Sequence, residues 1–287
     1  MWNLSQPCFH DEDVAREYLE RIRWAKGIVC PHCGSIGKHY KIEPNVKTKV
    51  RKGLYACKDC REQFSVTVGT VFERSKVPLN KWLMCAFLMC VSKKGYSSHQ
   101  FYRTLGVTYK TAWFMTHRLR KAMESSQKGM LGGQGKTVEA TETYWKNNQS
   151  KMIDKPKGGY EFKEKIFSLA ESHGSVRSFH VQPINGSTLK PLLKERIAKN
   201  IRIMTDEHGA CSGLEEHFES HEVVKHSRKE YARGEVCTNT GGNLFSILKR
   251  GLIGTFHPVG SKHMHRYMSE FDFRHNHRKI SDLERTE

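Results

Sequence analysis

The apolar positions along the chain fall into blocks of different period. Between residues 11 and 25, Val14, Tyr18, Leu19, Ile22 and Trp24 recur near helical spacing and predict an amphipathic helix. Short extended runs follow at 38–42 and 54–56, and residues 64–68 alternate like a strand. Leu79 opens a run through Cys90 that is apolar on every side, as in a buried helix. Two more helices are predicted at 98–103 and 109–123. The second gathers Ala112, Trp113, Met115, Leu119 and Met123 broadly on one side. Residues 125–135, rich in Gly, Ser and Gln, read as a linker.

Beyond the linker the period changes. Strands are predicted at 136–145, 165–170 and 176–181, with a polar excursion from Lys146 to Lys163. A helix at 187–199 turns Leu189, Leu192, Leu193 and Ile197 inward. A strand from Ile201 ends at Asp206, Val223 and Val224 make a short fifth strand, and a helix covers 243–252. Three strands followed by a helix, a strand, a helix, a strand and a helix is the order of a ribonuclease H-like α/β core. Tyr267, Phe271 and Phe273 dock a terminal helix, and residues 281–287 are expected to fray. The chain so divides into an N-terminal helix and ribbon (1–72), a helical region (73–124), the linker (125–135) and the α/β domain with a basic C-terminal segment (136–287).

Composition narrows the functional classes. Hydrophobic residues make up 37% of the chain and mean hydropathy is −0.64. No apolar run approaches the roughly 20 residues of a membrane span, and the first residues lack the pattern of a signal peptide. The expectation is a cytoplasmic, nucleoid-associated protein with no membrane partner. The net charge of +18 points to a polyanion, most simply nucleic acid. Helix, glycine-containing turn at 105–107, helix is the helix-turn-helix arrangement, although a plain three-helix unit has the same pattern. In the first reading Thr108, Tyr109, Lys110 and Thr111 begin the base-reading helix, and Arg118, Arg120 and Lys121 meet phosphates. Lys262, Arg266 and Arg274 either track a phosphate backbone or line a solvated helix face.

Nine cysteines are present. Cys30 and Cys33 form one Cys-x-x-Cys pair, Cys57 and Cys60 another. Two such turns brought together make a tetrahedral four-sulfur site suited to structural zinc, with no open position for chemistry. A redox dithiol is the competing reading. Asp206, at the end of a buried strand, is either a divalent-metal ligand or the N-cap of a following helix. His208, His217, His221 and His226 cluster after it without the spacing of a zinc enzyme.

Across nearly its whole length the chain resembles bacterial insertion-sequence transposases of the ISXO type, which are DDE transposases with an N-terminal zinc ribbon. The likeness runs through residues 24–34 around Cys30 and Cys33, 64–73, and 105–113 with Arg118. It continues through Thr238-Asn239-Thr240, Leu248-Lys249-Arg250-Gly251, 254–257, Lys262-His263 and 266–274. The resemblance implies three acids holding two magnesium or manganese ions for in-line attack on a phosphodiester. It implies double-stranded DNA partners, both element ends and target, and a homodimer assembled on DNA. It places Asn239 and Lys249 beside the site, and Lys249 and Arg250 against DNA.

The sequence departs from that pattern. Thr141 stands where the family has its first aspartate, and Gly242 where it has its glutamate; Asp206 matches. Strand alternation puts Glu139 on the face of Thr141, about 7 Å along, as a possible substitute. No acid lies between Glu235 and Glu270. The expectation is a transposase impaired in cleavage and strand transfer. The alternative is a catalytically inactive, transposase-derived DNA-binding protein or repressor.

Overall fold

The computed structural model describes residues 3–47, 49–125, 129–133, 135–146, 163–172, 174–207, 209–228, 230, 232, 233 and 236–287. The chain forms two compact units. One comprises residues 1–91, 98–119 and 280–287, the other 92–97 and 120–279.

In the first unit, α1 (Glu12–Arg23) starts where the Asp11 side chain accepts from the backbone N–H groups of Asp13 and Val14. Its acids lie in the first turn and its arginines in the last, matching the helix dipole. An antiparallel ribbon follows, β1 (His39–Ile42), β2 (Leu54–Cys57) and β3 (Gln63–Phe64), ordered β1-β2-β3. Trp24, Tyr55 and Phe64 pack together beneath it. The strand expected at 64–68 stops at Phe64, because Val68 N–H turns back to Ser65 O. The helix α2 (Leu79–Val91) is buried on most sides, and α3 (Ser98–Leu105) and α4 (Tyr109–Ser125) flank the turn at Gly106. The expected fraying at the C-terminus is not found. Helix α8 (Asp282–Thr286) has a complete capping box between Ser281 and Glu284, and Arg285 donates to Cys90 O.

The second unit holds a five-stranded sheet ordered β6-β5-β4-β7-β8. Its strands are β4 (Thr137–Lys146), β5 (Lys163–Glu171), β6 (Val176–His180), β7 (Arg202–Asp206) and β8 (Ser220–Val224). The first three run antiparallel, while β7 and β8 run parallel to β4. This mixed α/β sheet is consistent with a ribonuclease H-like domain. One face packs α5 (Gly186–Arg196) over Val138, Ala140, Leu169 and Ile203. The other packs α6 (Asn239–Gly251) and α7 (Met264–Asn276) over Ile166.

Several boundaries moved. The helix expected between the fourth and fifth strands is, among the described residues, a 3-10 turn at Gly209–Cys211. Helix α6 begins at Asn239 rather than 243, and a short hairpin, β9 (Ala232–Arg233) with β10 (Val236–Cys237), precedes it. Part of the linker is docked: Leu131 is buried and its N–H and C=O bond to Arg196 and Ala198. Most of the polar excursion at 146–163 lies outside the described residues, as do Glu235, His208 and three linker residues at 126–128.

Candidate functional site

Register brings the candidate ligand positions together. Strands β4 and β7 pair in parallel with Glu139 beside Met204 and Ala140 beside Thr205. The pairing ends there, one residue before Thr141 and Asp206, which share the face of Glu139 and Met204. The same face receives α6. There Gly241 lies so close that a Cβ on it would overlap Thr141 Oγ1 and come 3.2 Å from Thr141 Cβ. A Cβ on Gly242 would enter open space. Thr141 so packs against the start of α6 at Gly241, with Gly242 the next residue of that helix.

Each of these groups has a definite setting. Asp206 is half-buried and caps no α-helix, since only the three-residue 3-10 turn follows it. Thr141 is buried, and its Oγ1 has no hydrogen-bond partner among the described residues. Glu139 is also buried, but its carboxylate is engaged. It accepts from Thr240 N–H at 2.8 Å, Thr240 Oγ1 at 2.7 Å and Gly241 N–H at 3.4 Å. A carboxylate at a helix N-terminus offsets the orphan N–H groups and the positive end of the dipole. Glu139 thus anchors the start of α6. Asn239 and Gly242 are exposed at the start of α6, and Lys249 is half-buried two turns on.

A side-chain chain that the sequence did not reveal holds the end of β7. Thr205 Oγ1 lies 2.9 Å from Asp206 O and 2.9 Å from His221 Nε2, and His221 Nδ1 lies 3.4 Å from Glu215. Only the β7–β8 register, with His221 beside Ile203, creates it. Burial pushes the Cys211 thiol up to about 12, with the Asp206 and Glu142 carboxylates adding to the effect.

The four cysteines do converge. Their sulfurs all lie within 4.8 Å of one another, with Cys30 and Cys60 at 3.7 Å and Cys33 and Cys57 at 3.6 Å. Tetrahedral zinc with 2.3 Å bonds needs edges of roughly 3.8 Å, so the donor set fits. Each knuckle closes on a left-handed residue, Gly34 (φ +79) and Arg61 (φ 64), whose N–H returns to the carbonyl of the first cysteine. A hydrogen bond with Ser35 draws the Cys33 thiol down, while the shared protons of the four crowded sulfurs push Cys60 the other way. Among the described residues no other group of three or more potential ligands meets in this way.

The expected DNA contacts divide sharply. Thr108, Tyr109 and Lys110 are exposed at the start of α4, and Thr111 N–H bonds Thr108 Oγ1. Arg250 and Lys262 are exposed and Arg266 is half-buried. Arg118 is diverted: both terminal nitrogens donate to Glu73 O, and its guanidinium lies over the Trp82 and Phe114 rings. Arg120 and Arg274 lie inside the second unit, 1% and 8% exposed. Both pair with the fully buried Glu270, and Arg120 also lies 4.1 Å from the Tyr267 ring centroid. The expectation that they meet phosphate is corrected; a buried cation needs its counter-charge. A stronger signal was overlooked: the sequence from Arg74 to Met123 contains no Asp or Glu.

No helix among the described residues is long and apolar enough to cross a membrane. Comparison with known proteins completes the picture. Residues 130–276 match the ISXO2-like transposase domain, and residues 10–63 match the transposase zinc-ribbon domain. A Halobacterium salinarum protein described as "Uncharacterized protein in transposable element ISH50" is 29% identical over 266 residues, covering 85% of this chain and 84% of its own. The domain match spans half the chain, the ribbon match carries the four-cysteine site, and the chain therefore belongs to the ISXO2-like (IS1595) DDE transposases.

Proposed function

We propose that this protein binds the ends of its insertion sequence as a transposase and that its own strand cleavage and transfer are impaired. The observation carrying this reading is the packing of Thr141 against Gly241 on the sheet face that ends in Asp206; the reading takes positions 141, 206 and 242 to converge, which offers one carboxylate where a two-ion site needs several. The residues present do not fit such a site. A hydroxyl and a backbone glycine supply no anionic oxygen for magnesium or manganese, and the two acids that flank Met204 on the same face are engaged, Glu139 at the start of α6 and Glu222 with Arg202. Asp206 alone is left as a weak ligand.

DNA binding does not depend on that chemistry. In this reading α3, the Gly106 turn and α4 act as a helix-turn-helix, with Thr108, Tyr109, Lys110 and Thr111 at base edges. Arg250, Lys262 and Arg266 meet phosphates, and two copies assemble on DNA. Zinc in the four-cysteine site is structural. The combination of an exposed reading helix with a depleted acid site favours a protein that occupies element ends without cutting them, as a repressor would.

The test is to incubate purified protein with DNA carrying the element ends and either magnesium or manganese. Specific binding without nicking above the level of the Asp206→Ala variant is expected. Robust cutting that disappears in that variant would overturn the impairment, and absence of DNA binding would overturn the whole reading.

A further inference from the structure

Three rings on the first unit are not accounted for by groove reading alone. Tyr102 on α3 and Tyr109 at the start of α4 are 41% and 45% exposed. His99, also part of this surface, joins them: its ring centroid lies 4.5 Å from that of Tyr109, with planes 31° apart, and 6.2 Å from that of Tyr102. Large rings left in water as a contiguous group mark an interaction surface. Arg103 and Lys110 are exposed alongside, and no carboxylate lies in this stretch of sequence. The charge therefore selects a polyanion, and the rings add an apolar aromatic surface, with the Tyr102 plane 77° from that of His99.

Intact duplex cannot use such a surface well. Its base faces are hidden in the stack, leaving phosphates and groove edges, which the threonines and Lys110 already suit. A ring face finds a matching partner only when a base is unpaired and unstacked. We propose that His99, Tyr102 and Tyr109 form a stacking platform for an unpaired base, so that this helix pair holds DNA at an overhang or frayed end more tightly than at uninterrupted duplex. The inference rests on the DNA-binding reading above and adds a preference for DNA structure to it.

The experiment uses the full-length, zinc-loaded protein and two DNAs of the same sequence, one blunt and one with a short single-stranded overhang. The overhang carries 2-aminopurine as its unpaired base. Fluorescence anisotropy is expected to give about tenfold tighter binding to the overhang, the scale of one base stacked on an aromatic ring. The 2-aminopurine emission should be quenched on binding. Tyr102→Leu should remove the preference and the quenching while duplex affinity stays within about twofold, and Tyr102→Phe should keep both. Equal affinity for the two DNAs without quenching would overturn the platform and leave duplex binding intact. Equal loss on both DNAs in Tyr102→Leu would assign the ring to the groove instead. No binding to either would overturn this inference and the DNA-binding reading together.

Discussion

The absence of a side chain at Gly241 sets how closely the start of α6 approaches Thr141 on β4, and one methyl group tests it. In Gly241→Ala the new Cβ overlaps Thr141 Oγ1 and lies 3.2 and 3.3 Å from its Cβ and Cγ2. Thr141 is 6% exposed, so it has little room to turn away. Overpacking of this kind costs about 1–3 kcal/mol. Replacing glycine by alanine in a helix returns up to about 1 kcal/mol, so a net loss of about 1–2 kcal/mol is expected. Shaving the partner should relieve it: in Thr141→Ala the overlapping Oγ1 is gone, and Gly241→Ala should become neutral or stabilising there. The double-mutant cycle should show a coupling of about 1–2 kcal/mol, within the range for contacting residues. Because the chain has two units, amide exchange of α6 and β4 is the proper probe rather than a single melting temperature. If Gly241→Ala stabilises α6 in both backgrounds with no coupling, the helix does not abut Thr141. The convergence of positions 141, 206 and 242 would then fail with it.

Other outcomes follow from the same geometry. Glu139→Gln keeps the shape but points an amide toward the N–H donors of α6; about 1–3 kcal/mol should be lost, read as faster exchange in the first turn of α6. Arg120→Met should leave the salt dependence of DNA binding unchanged while destabilising the second unit, by about 3–5 kcal/mol if the buried Glu270 is left short of a partner. Lys262→Ala should instead lower the slope of log affinity against log salt by about one and leave stability unaltered. Chelation of zinc, or Cys57→Ser, should unfold the ribbon and abolish its near-ultraviolet circular dichroism, whereas a purely redox role predicts a folded, metal-free ribbon. Burial, with the Arg278 charge second, holds His275 down to about 4 from its usual 6.5. The unfolded chain then binds a proton that the folded one refuses, so stability falls as pH drops from about 6.5 to 4. His275→Gln should flatten that limb in acid titrations followed by denaturation.

The sequence by itself determined most elements, the metal and the family. Apolar period distinguishes the helix around Leu79–Val91 from the strands of the sheet because each element must bury its own face. Two Cys-x-x-Cys turns specify a four-sulfur site because each turn fixes two ligands locally, whatever the rest of the chain does. That positions 141 and 242 carry a threonine and a glycine is likewise visible residue by residue. The tertiary structure alone decided which charges are available. Arg120 and Glu270 are 150 residues apart in sequence, and Glu139 lies 101 from Thr240. Nothing local in any of them announces its partner. Whether an arginine faces a phosphate or a buried carboxylate depends on which side chain arrives opposite it. That is settled by packing between distant segments, so local periodicity marks an exposed cation such as Lys110 no differently from the buried Arg120 and Arg274.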